Sequence, residues 1–277
     1  MPKALLLGYD PEQPSFRHRM CSLVSVLQSA GWTVAVERFP SGRYGLRTWE
    51  RRSLLSGADV VVLHQIKLSA MEARLFAAFT RRRVFDVDDA IYVRKPRRLG
   101  EPADESAWRK RKFAATCRWV DVVAAGNDVL ADVACITAKA VTVLPTSIDT
   151  AVYQTSTATP ADPPTIAWIG SPENLIYLEM IRPALARLTA RYPTLRMRVI
   201  CSRFPDWAEV AVEPVIWSSA GGGTYRSHAV ERRCLGARQM RFQTIAIHGR
   251  RAALCGLAGR RQHRGRRGWR QRLSCAQ

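Results

Sequence analysis

Three carboxylates fall within four residues of FDVDDAIY, at Asp86, Asp88 and Asp89, directly after an apolar run. Acids gathered at the end of a strand suit a metal ion, the hydroxyls of a sugar, or the cap of a following helix. His64 closes a second apolar run, VVVLHQ, and so reaches the same edge of any sheet the two strands share. An imidazole there suits proton transfer or acceptor binding, and a single histidine at a strand end is also a common structural residue. His64, Asp88 and Asp89 are therefore the candidates for catalysis. Gly8 opens the loop after the first strand, and Arg17, His18 and Arg19 follow it. Two guanidiniums behind a flexible loop suit an anionic acceptor or a phosphate; the plainer reading is a solvated helix start. Asn127, after VVAAG, and Pro145, Thr146, Ser147 and Asp149 reach the same edge, with turn chemistry as their ordinary use. Two basic stretches, Arg94 to Arg98 and Arg109 to Lys112 with Trp108 beside it, suit lipid headgroups, an anionic acceptor or plain solvent.

The elements that must position these residues can be read from hydrophobic periodicity. KALLLGYD is a buried strand running into a glycine loop, and SFRHRMCSLVSVLQSAGW has helical spacing with a glycine stop. TVAVERF, ADVVVLHQ, RRVFDVDDAIY, DVVAAGN and AVTVLPTSID read as further strands. MEARLFAAFTRR, SAWRKRKFAATCRWV and DVLADVA read as the helices between them. Alternating strands and helices imply a parallel sheet covered on both faces, so the fold class is α/β, with residues 1–154 forming one Rossmann-like domain. Residues 155–164 (TSTATPADPP) form a linker. The pattern restarts at 165: TIAWIGSP is a strand ending in a glycine loop, ENLIYLEMIRPALARLTARY is one amphipathic helix, and LRMRVICS and VEPVIW are strands. Residues 165–217 thus open a second Rossmann-like domain that stays incomplete. Past Trp217 no period is sustained, and 218–277 reads as an unstructured basic tail.

The chain has 277 residues and a formal charge of +20, a value that ordinarily points to a polyanion. Its distribution points elsewhere. Residues 218–277 hold fourteen arginines, no lysine and the single acid Glu231, which leaves +7 on the first 217 residues. Seven cysteines form no CxxC pair and have no histidine at ligand spacing, so the sequence signals neither a zinc site nor a disulfide framework, and a reducing cytoplasm is the default. The N-terminal apolar run is too short for a signal peptide, and no run is long enough to span a bilayer. A cytoplasmic protein is expected, with peripheral contact at the inner face of the membrane as a further expectation.

Four segments in this order, SFRHRM, VFDVDDAIY, VVAAGNDVLADVA and VTVLPTSIDTAVY followed by TIAWIGSPENLIYLE, resemble the glycosyltransferases of the two-Rossmann GT-B architecture, in the broad group called family 4. The likeness covers residues 1–217. The family continues with a stretch similar to GKCGFKLLQYMAAGLPVVASPVG, part of the nucleotide-sugar pocket. In its place this chain has RQMRFQTIAIHG (238–249). Back-translated and read one base later, that segment permits GKCGFKLLQYM. The following RRAALCGLAGRR permits AAGLPCVASPVG, and the upstream HAVERRCLGAR permits MPLSDDAWERG in the same frame. A frameshift between Val210 and Gly223 therefore accounts for the terminal arginines, because a GC-rich gene read out of frame yields many CGN codons.

The resemblance implies transfer of a sugar from a nucleotide diphosphate sugar to a glycan, a lipid-linked acceptor or a small molecule, in cell-envelope or natural-product assembly. It implies no cofactor and no metal, which favours hydroxyl contacts or helix capping for the Asp86–Asp89 acids. Gly170 and Ser171 sit where the family places backbone N–H groups against the donor diphosphate, with Gly8 on the donor side of the first domain and Arg17, Arg19 and Asn127 toward acceptor or phosphate. A tight βα turn is the plainer reading of Gly170 and Ser171. Loss of the later pocket implies a weakly active or inactive chain. The reading from a different class is a Rossmann-like binding protein whose basic tail recruits nucleic acid. Thin aromatic interleaving (Tyr225, Phe242, Trp269) argues for no specific nucleic acid. A non-catalytic partner of another transferase is a third reading.

Overall fold

The computed structural model describes residues 1–94, 96, 101, 106–147 and 165–216. The 155–164 linker, the 218–277 tail, Lys95, Arg97, Arg98 and Asp149 lie outside the described residues. The chain divides into two units, the first built on strands β1–β6 and the second on β7–β9.

In the first unit β1 (Lys3–Gly8) leads into a continuous helical stretch: α1 (Pro14–Phe16), a π-helical turn (Arg17–Cys21) and α2 (Ser22–Ser29). Gly31, at φ 83°, supplies the left-handed residue that ends it. Then follow β2 (Thr33–Arg38), α3 (Tyr44–Glu50), α4 (Arg52–Ser56), β3 (Val60–His64), α5 (Ala70–Ala78), β4 (Arg83–Val87), α6 (Ala107–Trp119), β5 (Val122–Ala125), α7 (Asp128–Cys135) and β6 (Val141–Val143). Helix α5 starts on a reciprocal cap in which Ser69 Oγ accepts from the Glu72 amide and the Glu72 carboxylate accepts from the Ser69 amide. Helices α3 and α4 occupy a stretch for which the sequence reading gave no element.

All six strands are parallel, in the order β2-β1-β3-β4-β5-β6. This is a Rossmann-like α/β sheet. Strand alternation sends Leu5 and Leu7 into the larger core with Leu63, Phe76, Phe85, Phe113 and Leu130. Leu6 points the other way, onto Phe16 and Met20. Leu5, Leu6 and Leu7 are at most 1% exposed, so β1 is buried on both faces, as its unbroken apolar run requires. Each such leucine contributes about 1.5–3 kcal/mol by burial. Because β1 lies between β2 and β3, the helices leaving β1 and β3 pack on opposite faces. A crevice therefore opens at the carboxyl ends of β1 and β3, the place where open α/β sheets take their ligands.

The second unit contains β7 (Thr165–Ile169), a 3-10 turn (Pro172–Asn174), α8 (Leu175–Glu179), α9 (Arg182–Arg191), β8 (Arg196–Cys201) and β9 (Val212–Ile216), with parallel strands in the order β7-β8-β9. Its core gathers Trp168, Leu178, Leu185, Met197, Val199 and Trp207. The single helix expected over 173–192 is broken at Met180 and Ile181, because Pro183 cannot donate within a helix and takes a first-turn position in α9 instead. Pro214 is tolerated in β9 because, among the described residues, that strand is an edge strand of its sheet. No helix among the described residues is long and apolar enough to cross a membrane.

Candidate functional site

The site lies at the carboxyl ends of β1, β3 and β4, on the face covered by α1 and the π turn. Leu6 pairs with Val62, and Val62 with Val84. Two residues further along the same face come Gly8, His64 and Asp86, and His64 and Asp86 are direct cross-strand partners. Gly8 has no side chain for a steric reason: a Cβ there would stand 2.2 Å from Phe16 Cδ2. The Phe16 ring fills that space and meets His64 edge-on, with centroids 5.5 Å apart.

Asp86 is 1% exposed and is held from two sides. Arg19 reaches it from the π turn, with Nη2 to Oδ1 at 2.6 Å and Nε to Oδ2 at 2.9 Å. Arg19 Nη1 also donates to the Leu144 carbonyl at 2.9 Å and to Thr146 Oγ1 at 3.0 Å. On its other side Asp86 Oδ2 meets His64 Nδ1 at 2.7 Å. Burial alone would raise the Asp86 pKa, but the hydrogen bonds and charges of Arg19 and His64 outweigh it and hold the carboxyl below its ordinary value. Asp86 therefore stays ionised.

The outer half of the cluster is built on Ser15. Its Oγ lies 2.8 Å from His64 Nε2 and 2.8 Å from Asp88 Oδ2. Gln65 Nε2 donates to Ser15 Oγ at 3.2 Å and also to Asp88 Oδ1. Gln65 can do so because its backbone turns left-handed (φ 56°) straight after β3, at a cost of roughly 1–2 kcal/mol for an L-residue. Gly126 lets the chain at Asp88 come close, since a Cβ there would stand 3.0 Å from Asp88 Cα. Ser15, His64 and Asp86 thus reproduce the hydroxyl–imidazole–carboxylate order of an activated oxygen, with Asp88 and Gln65 as further partners of the hydroxyl.

Arg19 of the π turn is not a phosphate-facing cation: it is 5% exposed and committed to Asp86, Leu144 and Thr146. Arg17 is half-buried in the same turn; burial first, and then the Arg17 charge, lowers the pKa of neighbouring His18. Asn127 is the N-cap of α7, its Oδ1 accepting from the Leu130 amide at 2.9 Å, so its side chain is engaged in capping rather than turned to a ligand. Asp89 closes a local turn, accepting from the Ala90 amide at 2.9 Å. Thr146 joins the cluster through Arg19, while Pro145 and Ser147 are exposed. Gly170 is explained by packing: a Cβ would stand 2.5 Å from Trp168 Cζ2. After Ser171 the chain forms a single 3-10 turn before the five-residue α8. Trp108 is exposed, with Lys112 Nζ 4.5 Å above its ring. Close by in charge, burial followed by Arg109 and Lys112 lowers the Lys67 pKa to about 8, against a smaller opposing pull from Asp89. Among the described residues, no group of three or more His, Cys, Asp or Glu side chains is placed to hold a metal ion.

Ser15 and Gln65 were not singled out by sequence reading. Neither type carries a chemical signature alone, and Ser15 meets His64 and Asp88 only across 49 and 73 residues of chain.

No protein-family model matches the chain, and no curated protein matches it. The solved structures that overlap it include a LacI family transcriptional regulator from Mycobacterium smegmatis, at 15% identity over 71% of this chain and 77% of that one, with a TM-score of 0.29. An overlap of that extent carries no argument about function.

Proposed function

We propose that the chain is a glycosyltransferase of the GT-B architecture by lineage, with the first unit on the acceptor side and the second unit as the start of the nucleotide-sugar domain. The observation that carries the reading is the convergence of Ser15, His64, Asp86 and Asp88 on the carboxyl edge of β1, β3 and β4, beside the point where strand order reverses. The segments that resemble the family border this same edge: SFRHRM forms α1 and the start of the π turn, VFDVDDAIY forms β4 and its exit, VVAAGNDVLADVA forms β5 and α7, and VTVLP follows through β6. A sugar acceptor presents hydroxyls, and a half-buried carboxylate with an imidazole behind it is the chemistry that takes up a hydroxyl proton. Stabilising the departing diphosphate is an electrostatic task for backbone amides and cations, several of which the resemblance assigns to the frame lost after Val210. The chain as written is accordingly weakly active or inactive.

The test is to resequence the source gene across the codons for Val210–Gly223, restore the shifted frame, and measure nucleoside diphosphate release from a panel of nucleotide sugars. The restored protein is expected to turn over at least one of them, at about 10²-fold or more above the chain as written. A restored protein that neither binds nor turns over any nucleotide sugar overturns the reading.

A further inference from the structure

Helices α3, α5 and α6 pack side by side, α3 on α5 and α5 on α6. Each follows the carboxyl end of a strand, so their first turns share the end of the sheet that carries Ser15 and Asp88. Lys112 of α6 joins them: its Nζ is 3.4 Å from Glu72 Oε2 at the start of α5 and 5.8 Å from the Tyr44 ring at the start of α3. Trp108 lies one turn before Lys112, about 6 Å further toward that end. Three large apolar side chains stand in these first turns with half or more of their surface in water: Met71 at 82% exposure, Trp108 at 62% and Leu46 at 52%. One exposed apolar residue is ordinary; three at the same end of adjacent helices form a patch. Cations accompany them. Arg109, Lys110, Arg111 and Lys112 follow Trp108, and Arg47 and Arg74 lie beside Leu46 and Met71 in α3 and α5. Residues 94–112 hold eight Lys and Arg against three acids. Glu72, the acid of α5, is taken up by the Ser69 amide and Lys112. Burial, and then the charges of Arg109 and Lys112, lower the Lys67 pKa in the segment leading to α5, a sign of crowded positive charge.

We propose that the first turns of α3, α5 and α6 dock the protein on an anionic membrane surface, with Trp108 and Met71 inserted at the level of the headgroups. An indole with an apolar body and a polar N–H suits that boundary, and the surrounding cations meet the lipid phosphates. A nucleic acid would use the cations and the indole but offers little to Met71 and Leu46, so the apolar members favour the bilayer. Docking stands on this patch and does not depend on the transferase reading. Its consequence for the acceptor rests on that reading: the end of the sheet that meets the bilayer is the end that carries Ser15 and Asp88. The hydroxyl taken there belongs to a lipid-linked acceptor rather than a soluble one.

Vesicles of phosphatidylcholine and phosphatidylglycerol with brominated acyl chains quench an indole that enters them. With the full chain they are expected to quench a part of the tryptophan fluorescence that is missing in Trp108→Phe, while that variant still sediments with the vesicles. The arginines of 218–277 will also adhere to an anionic surface, so Trp269→Phe is the control and should leave the quenching in place. Met71→Asp, at a side chain too exposed to affect folding, should remove most of the Trp108 quenching. Lys110→Gln combined with Arg111→Gln should raise the lipid concentration for half-quenching about tenfold. Quenching that is absent, or that survives Trp108→Phe and is lost in Trp269→Phe, overturns the docking. Hydrogen-exchange protection of the first turns of α5 and α6 by polyuridylate and not by vesicles also overturns it and assigns the patch to nucleic acid. In the frame-restored chain, Trp108 quenching without turnover of any nucleotide sugar overturns the transferase reading and leaves the docking standing. Turnover without Trp108 quenching does the reverse. Trp108 quenching with transfer confined to soluble acceptors overturns the lipid-linked acceptor alone.

Discussion

Gly8 and Gly170 hold equivalent places, each at the end of the first strand of its unit and each under an aromatic ring, Phe16 in one case and Trp168 in the other. Beyond the glycine the units differ. The first buries an arginine, an aspartate and a histidine at 5%, 1% and 3% exposure against the end of its sheet. The second keeps its ion pairs outside: Arg182 with Glu209 and Arg198 with Glu213 span partly open surface, and no charged side chain of the second unit is buried among the described residues. Withdrawing charge from water costs several kcal/mol per ion, and an apolar replacement of similar volume is often no less stable. A fold needs the aromatic-on-glycine packing; it does not need the buried ions. The contrast therefore separates what the βα turn requires from what it does not, and the buried ions that the turn does not require lie in the first unit.

Asp86→Ala is the change with the largest expected effect, because it leaves Arg19 buried and unpaired. A loss of about 3–5 kcal/mol is expected. Hydrogen exchange read by mass spectrometry should place that loss in β1–β6 and leave β7–β9 protected as before; an equal loss in both units would break the comparison. Gly8→Ala comes next, at about 1–3 kcal/mol, since the new methyl meets a Phe16 ring that is 1% exposed and has nowhere to go. Gly170→Ala should cost less, because Trp168 meets it with the rim of its ring and is itself 9% exposed. Urea midpoints for the two variants, read by exchange in each unit, test that order.

Acid should act on the first unit through the same carboxylate. The folded-state pKa of Asp86 is held below its ordinary 3.8, so its contribution is complete above that value and is lost as pH falls through the lower one. Unfolding of the first unit below about pH 4 should therefore be blunted in Asp86→Asn, as followed by circular dichroism. The smallest effect belongs to the second unit: Arg182→Ala, at an exposed pair, should leave the urea midpoint unchanged within error.

Most of this organisation was legible as strands. Apolar runs ending in Gly8, His64, Asp86 and the Ala125–Gly126 turn announced a parallel α/β sheet and its polar edge. What periodicity could not supply was the neighbour relation. That β3 lies beside β4, and that His64 therefore stands next to Asp86 rather than somewhere along the same edge, is fixed by packing between residues distant in sequence. The burial of Arg19 is not announced by RHRMC, because a buried guanidinium needs the partner Asp86, which lies 67 residues away in the chain. Helices α3 and α4 were missed because YGLRTWERRSLLS mixes exposed arginines with few apolar positions, and only Tyr44, Thr48 and Leu55 of it are buried. The break at Met180 could have been read from Pro183.

A π turn is an α-helix into which one residue has been inserted, and Arg17–Cys21 is such a turn in the middle of the first helical stretch. Removing Arg17 or His18 would close the helix into regular α form and rotate everything after the deletion by about 100° against Ser15 and Phe16. The aromatic lid over Gly8 could survive that change, but the guanidinium that neutralises Asp86 could not stay where it is. Homologues without the buried Arg19–Asp86 pair would then be recognisable by a one-residue gap over Arg17–Cys21, and those that keep the insertion should also keep an arginine at its centre and an aspartate at the end of β4.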